Sequence, residues 1–154
     1  MKKGMAWLGM IGVLMLASSV FAADSNAVTG KWWDEKKGSQ IEVYKCADKY
    51  CGKVVYLTEP NFGEKDKGGM AGKPKVDREN SDPAKRNVPI LGLNMMSGFK
   101  YAGDNVWEDG TIYNAEDGKT YKCKLTLESP ERLKVRGFIG VSLLGKTQYW
   151  SRVK

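Results

Sequence analysis

The chain has 154 residues, 42% of them hydrophobic, with 25 Lys and Arg against 18 Asp and Glu for a formal net charge of +7. It contains no histidine, which excludes His-based acid–base catalysis, Ser-His-Asp and Cys-His nucleophile pairs and imidazole metal sites. Basic and acidic residues alternate instead of forming blocks, the pattern of a solvated surface and not of a nucleic-acid footprint.

The first element is a leader. Lys2 and Lys3 precede an apolar stretch from about Met5 to Ala17, and Val20 and Ala22 fit the −3 and −1 positions of a signal-peptidase site. We expect cleavage after Ala22 and export to the periplasm. The apolar core is about a dozen residues, short of a bilayer span, and no Cys follows it to carry a lipid anchor. Removing 22 of 154 residues leaves 132, residues 23–154, and the loss of Lys2 and Lys3 lowers the charge from +7 to +5. That length suits one domain with a real core. The mature chain is expected to be a monomer without a membrane span.

Eight strand-like runs follow. Val28–Trp33 leads in, and Gln40–Cys46 and Cys51–Thr58 flank the turn-sized Ala47-Asp-Lys-Tyr50. With Cys46 opposite Cys51 the two form a disulfide in an oxidising compartment. That register puts Glu42 and Lys53 with them on the outer face, and Ile41, Val43, Val54 and Tyr56 on the inner one. Next come Asn94–Tyr101, Val106–Asn114, Lys119–Glu128, Arg132–Phe138 and Lys146–Val153, separated by Ala102-Gly-Asp-Asn105, Ala115-Glu-Asp-Gly118 and Ser129-Pro-Glu131. Cys123 alternates with Tyr121, Leu125 and Leu127, the setting of a buried, inert thiol. Short strands and tight turns with one apolar face predict an all-β fold, a single antiparallel barrel of roughly eight strands. Such a barrel has room for its own side chains or for one small ligand.

Glu59 to Pro89 breaks the rhythm with four prolines and four glycines and is read as one long loop. Its centre, residues 63–75, reads as flexible. Ser81-Asp82-Pro83-Ala84 predicts a single capped helical turn with Pro83 at its first position. A lid over the barrel mouth and a merely solvated loop both fit. Asp77, Asn80 and Asp82 match no calcium-loop spacing, and Glu42, Glu108 and Asp109 make no convincing carboxylate pair. No catalytic residue, metal or cofactor is therefore expected, and the protein is not expected to be an enzyme.

On the last strand Gln148, Trp150 and Arg152 share one face. Gly30-Lys31-Trp32 on the first strand, with Arg152, resembles the closing device of lipocalins, in which an Arg stacks across a Trp that plugs one end. A ligand inside the barrel would meet Tyr56, Phe99, Tyr121, Leu125, Leu127, Leu133 and Trp150. Gln148 and either Arg136 or Arg152 would stand near its polar head. The same residues serve equally to seal a full barrel.

Longer stretches carry a family resemblance. Gly30-Lys-Trp32, Ile41-Glu-Val-Tyr44, Gly52-Lys-Val-Val55, Asp82-Pro-Ala-Lys-Arg86 and Pro89-Ile-Leu-Gly92 belong to it. So do Gly110-Thr-Ile-Tyr-Asn114, Glu116-Asp-Gly-Lys-Thr-Tyr-Lys-Cys123, Leu133-Lys-Val-Arg-Gly137 and Trp150-Ser-Arg-Val153. Together they resemble the bacterial family known as domain of unknown function 2147. The chain departs from it between Asn61 and Lys75 and at Asn114-Ala115. The resemblance implies an exported protein of Gram-negative bacteria with a lipocalin-like (calycin-like) barrel, and it brings no activity and no catalytic residues. The function expected is binding of a small amphipathic or lipid-like ligand without catalysis. The alternative is a protein-binding module, an inhibitor or envelope-stress factor, acting on an envelope protein through loop 59–89.

Overall fold

The computed structural model describes residues 24–141 and 144–154; the expected leader and its cleavage site lie outside the described residues. Eight strands form the wall: β1 Gly30–Trp33, β2 Ser39–Cys46, β3 Lys49–Leu57, β4 Asn94–Gly103, β5 Val106–Asn114, β6 Lys119–Ser129, β7 Arg132–Phe138 and β8 Lys146–Arg152. Each pairs antiparallel with its sequence neighbour, and β1 closes on β8 through Trp32↔Arg152 and Trp33↔Ser151. Closure leaves no long sheet edge unpaired. The all-β barrel predicted from the alternation is the observed fold.

The up-and-down order gives the barrel two unlike ends. The turns after β2, β4 and β6 gather at one end with the start of the chain, the N-terminal end. The segments after β1, β3, β5 and β7 gather at the other, the loop end. At the N-terminal end the sequence expectation needs correction, because Val28 and Thr29 are not strand. Asp24–Thr29 coils into turns, with Ala27 N donating to Asp24 O at 3.1 Å and Thr29 N to Asn26 O at 2.9 Å. The Asp24 carboxylate also accepts from Asn26 N at 2.7 Å. Short polar side chains that bond their own backbone favour such turns over strand.

The β2–β3 hairpin is tighter than expected. Cys46 stands opposite Lys49 and Cys51 opposite Tyr44, joined by a two-residue turn in which Ala47 takes φ 56°. The Cys46–Cys51 disulfide still forms, reaching diagonally across the outer face with Cα atoms 5.8 Å apart. Further along, the register slips by one between Gln40 and Ile41, so Ile41 faces Val54 but Gln40 faces Tyr56. That extra residue turns Tyr56 outward. Tyr56 is 46% exposed and meets Trp33 edge-on at 5.6 Å. Tyr56 is therefore not an inner residue.

A second bulge shapes β5. Trp107 faces Leu125 and Gly110 faces Cys123, which leaves Glu108 and Asp109 opposite Lys124 alone, with Asp109 at φ 61°. The bulge brings Gly110 to the inner face beneath Phe99, where a Cβ would lie 2.5 Å from Phe99 Cε1. Gly52 is placed likewise: a Cβ there would meet Met96 Sδ at 2.9 Å. Both glycines supply the space that large neighbours occupy.

The long loop is more ordered than its composition predicts. Bridges Asn61↔Pro74 and Val76↔Pro89 pin it to itself. In its glycine-rich half the Asp66 carboxylate accepts from Arg78 at 2.7 Å and from Met70 N at 3.0 Å. The predicted helical turn is present as a 3₁₀ turn at Pro83–Lys85, capped by Asp82, whose side chain accepts from Ala84 N.

Candidate functional site

The inside of the barrel is the first place to look for a ligand, and it is occupied by the protein's own side chains. Trp32, Trp107, Trp150, Phe99, Met96, Ile41, Leu125, Leu127 and Leu133 are all at most 2% exposed and form one cluster. Tyr50 and Tyr101 set their rings against Trp107, at 6.4 and 5.0 Å between centroids. Each buried indole has a partner for its N–H: Trp32 donates to Val28 O at 2.9 Å, Trp107 to Ser25 O at 3.0 Å and Trp150 to Gln148 Oε1 at 3.0 Å.

Arg152 seals the N-terminal end. Its guanidinium lies 4.1 Å from the Trp32 ring centroid and donates to three carbonyls: Pro130 at 2.6 Å, Thr29 at 2.9 Å and Ala27 at 2.7 Å. Burial lowers its pKa from the ordinary value, and the Glu131 carboxylate opposes that shift. The Tyr50 hydroxyl adds a bond to Asn26 at 3.1 Å. Trp32, Arg152 and the turns of residues 24–29 thus form one stopper, and all the donors of the Arg fork that these bonds engage point at backbone.

The expected ligand residues separate into three groups. Phe99, Leu125, Leu127, Leu133 and Trp150 are fully buried in the core. Tyr121 and Gln148 stand on inward positions toward the loop end and are half-buried. The Tyr121 hydroxyl is held by Asp117 at 2.5 Å, which raises the phenol's pKa and lowers that of the carboxyl. Tyr56 and Arg136 do not belong with the rest. On β7 the buried residues are Leu133 and Val135, so Arg136 faces outward, where it donates to Thr147 at 2.7 Å. Strand parity alone makes Arg136 unable to greet a ligand in the lumen.

Space for a ligand lies outside the wall. A cleft of about 390 Å³ opens between the long loop and the β5–β6 turn, lined by Phe62, Lys75, Val76, Arg78, Glu79, Ile90, Ala115 and Glu116. Its position depends on Asp77, 1% exposed, whose carboxylate accepts from Tyr113 at 2.7 Å and from Asn80 at 2.6 Å. Burial first, and the Asp77 carboxylate second, push the Tyr113 phenol up to about 12. Gly118, at φ 67°, allows the Glu79 carbonyl to press against the turn, where any Cβ would collide with it. Arg78 covers Phe62 at 4.4 Å and bonds Asp66, which holds the Asp66 carboxyl below its usual range. Sequence reasoning missed this cleft. The available signal was the apolar residues Phe62, Val76 and Ile90 set among the charged residues of the segment joining β3 to β4.

Among the described residues no group of three or more Cys, Asp or Glu is arranged to hold a metal ion. Cys123 is buried, and burial pushes its thiol up to about 12.

An eight-stranded meander closed on itself and stoppered by a Trp–Arg stack defines a lipocalin-like barrel. A solved structure agrees: the chain is similar to a protein from the human pathogen Helicobacter pylori that belongs to the lipocalin family. The TM-score is 0.63 at 25% identity, over 75% of this chain and 73% of that one. The family profile of uncharacterized proteins conserved in bacteria, DUF2147, matches residues 30–152, and the chain belongs to that family. No curated protein matches it.

Proposed function

We propose that this is a non-catalytic binding protein that holds a small amphipathic ligand outside its barrel, in the cleft between the long loop and the β5–β6 turn. The observation that carries the proposal is a full lumen beside an open external cleft. The cleft's volume falls in the range used for small ligands. Phe62, Val76, Ile90 and Ala115 offer an apolar floor, and Lys75, Arg78, Glu79 and Glu116 a charged rim. A lipocalin-like wall then serves as a rigid scaffold for a loop site instead of as a container.

The envelope-protein alternative draws on Val88 at the end of the loop and Leu91 just past it, 38% and 53% exposed. We also propose export to the periplasm with cleavage after Ala22, on the strength of Lys2, Lys3 and the apolar run that follows. A photoreactive palmitate analogue tests the ligand proposal: adducts should map to residues 62–90 and 115–116. Adducts confined to Leu125, Leu133 or Trp150 would return the ligand to the lumen and sink it. An envelope protein crosslinked at Leu91, with no palmitate adduct, would favour the alternative.

A further inference from the structure

We propose that the β7–β8 hairpin docks the barrel on an anionic lipid surface. The inference is independent of the cleft. Ile139, Val141 and Leu144, in the segment joining β7 to β8, are 68%, 60% and 80% exposed, whereas the apolar residues of the core are below 5%. Hairpin tips are ordinarily polar, and a cluster of exposed aliphatic side chains at one marks an interaction site.

Charge on the same hairpin indicates which surface it meets. On the outer face of β6 and β7, Lys124 stands directly opposite Arg136, and Lys134 opposite Thr126. Like charges facing across strands are unfavourable, yet the four residues line a cationic hollow of about 230 Å³. Arg136 is held by Thr147 and Lys124 reaches Glu108 at 3.9 Å. No carboxylate lies within 4.0 Å of Lys122, Lys134 or Lys146 among the described residues.

The order of these groups along the hairpin is that of a bilayer interface. At ~3.3 Å per residue, Arg136 sits about 10 Å from Ile139 along the strand, less once the strand tilts. Apolar groups of interfacial proteins enter a membrane by about 5–10 Å. Inserting Ile139, Val141 and Leu144 to that depth therefore brings Lys122 and Lys146, then Lys124 and Arg136, level with the headgroups. Anionic lipids attract cations at that level. Exposed aliphatic Ile139, Val141 and Leu144 beside a row of cations match the two halves of an anionic bilayer interface, apolar interior and charged headgroups.

Flotation of the protein with vesicles tests the proposal. Vesicles of phosphatidylethanolamine with phosphatidylglycerol should carry it, vesicles of phosphatidylcholine should not, and added salt should release it. Lys122→Ala with Lys146→Ala should weaken binding about thirtyfold, and Leu144→Asp at least about tenfold, with melting temperatures confirming that both variants fold. Absence from anionic vesicles, equal binding to neutral ones, or folded variants that bind like the parent would overturn the proposal. So would a parent dimer that Leu144→Asp converts to monomer without loss of vesicle binding, because the tip would then be a self-association surface.

Discussion

Gly110→Ala adds one methyl group to the barrel and asks whether the lumen has room for it. The backbone at Gly110 has no positive φ to object to a side chain, so any effect comes from contact alone. The new Cβ would lie 2.5 Å from Phe99 Cε1, whereas carbon atoms settle at about 3.5–4.0 Å. The ring must therefore retreat by about 1 Å or more. Phe99 is 1% exposed among Trp107, Tyr50 and Leu125, so retreat forces neighbours off their rotamers. Overpacking of this kind costs about 1–3 kcal/mol, which for a domain of this size lowers the melting temperature by roughly 3–10 °C. Urea unfolding followed by tryptophan fluorescence measures it. Gly63→Ala, where nothing lies within 4 Å of the new atom, is the control and should change little. Phe99→Leu in the Gly110→Ala background should recover part of the loss. A neutral Gly110→Ala would show that Phe99 has empty lumen to move into.

Arg152→Ala should cost about 2–4 kcal/mol, since it removes the stack on Trp32 and leaves the carbonyls of Ala27, Thr29 and Pro130 without their donor. Arg152→Lys should recover only part, as an ammonium lacks the planar fork. An unchanged urea midpoint in Arg152→Ala would show that the stopper is not structural. Alkaline titration probes the half-buried phenol and the buried thiol. Tyr113 and Cys123 have folded values of about 12 against ordinary values of 10.0 and 9.0. Each contributes stability that is full below its ordinary value and is lost as pH rises toward 12. Tyr113→Phe should therefore flatten the stability decline between pH 10 and 12, and an unaltered profile would contradict a phenol raised by its burial and by the Asp77 carboxylate. In the native protein Cys123 should react with a thiol reagent at pH 8 only as fast as the chain unfolds.

The strands were legible because alternation and turn chemistry both act locally. Val106–Asn114 and Arg132–Phe138 begin and end where the sequence places them, and Asp82-Pro83 carries the signal of its own 3₁₀ turn. Bulges were not legible. The extra residue at Tyr56 leaves the apolar pattern of β3 intact yet reverses the face of its end, and only cross-strand pairing with Gln40 reveals it. Arg136 was legible in principle, since Leu133 and Val135 already fix the parity of β7. The fullness of the lumen depends on which residues face each other across the barrel, such as Gly110 and Phe99, and no spacing within one strand encodes that. The external cleft depends on Asp77 meeting Tyr113 and on Glu79 meeting Gly118, contacts between the long loop and a distant turn.

On the proposed function the lumen is full and any ligand is held outside it. Xenon under pressure enters apolar cavities that water avoids, so a crystal of the protein exposed to xenon tests the claim directly. No xenon should order among Trp32, Leu125, Leu133 and Trp150. A xenon atom ordered among those side chains would contradict a full lumen.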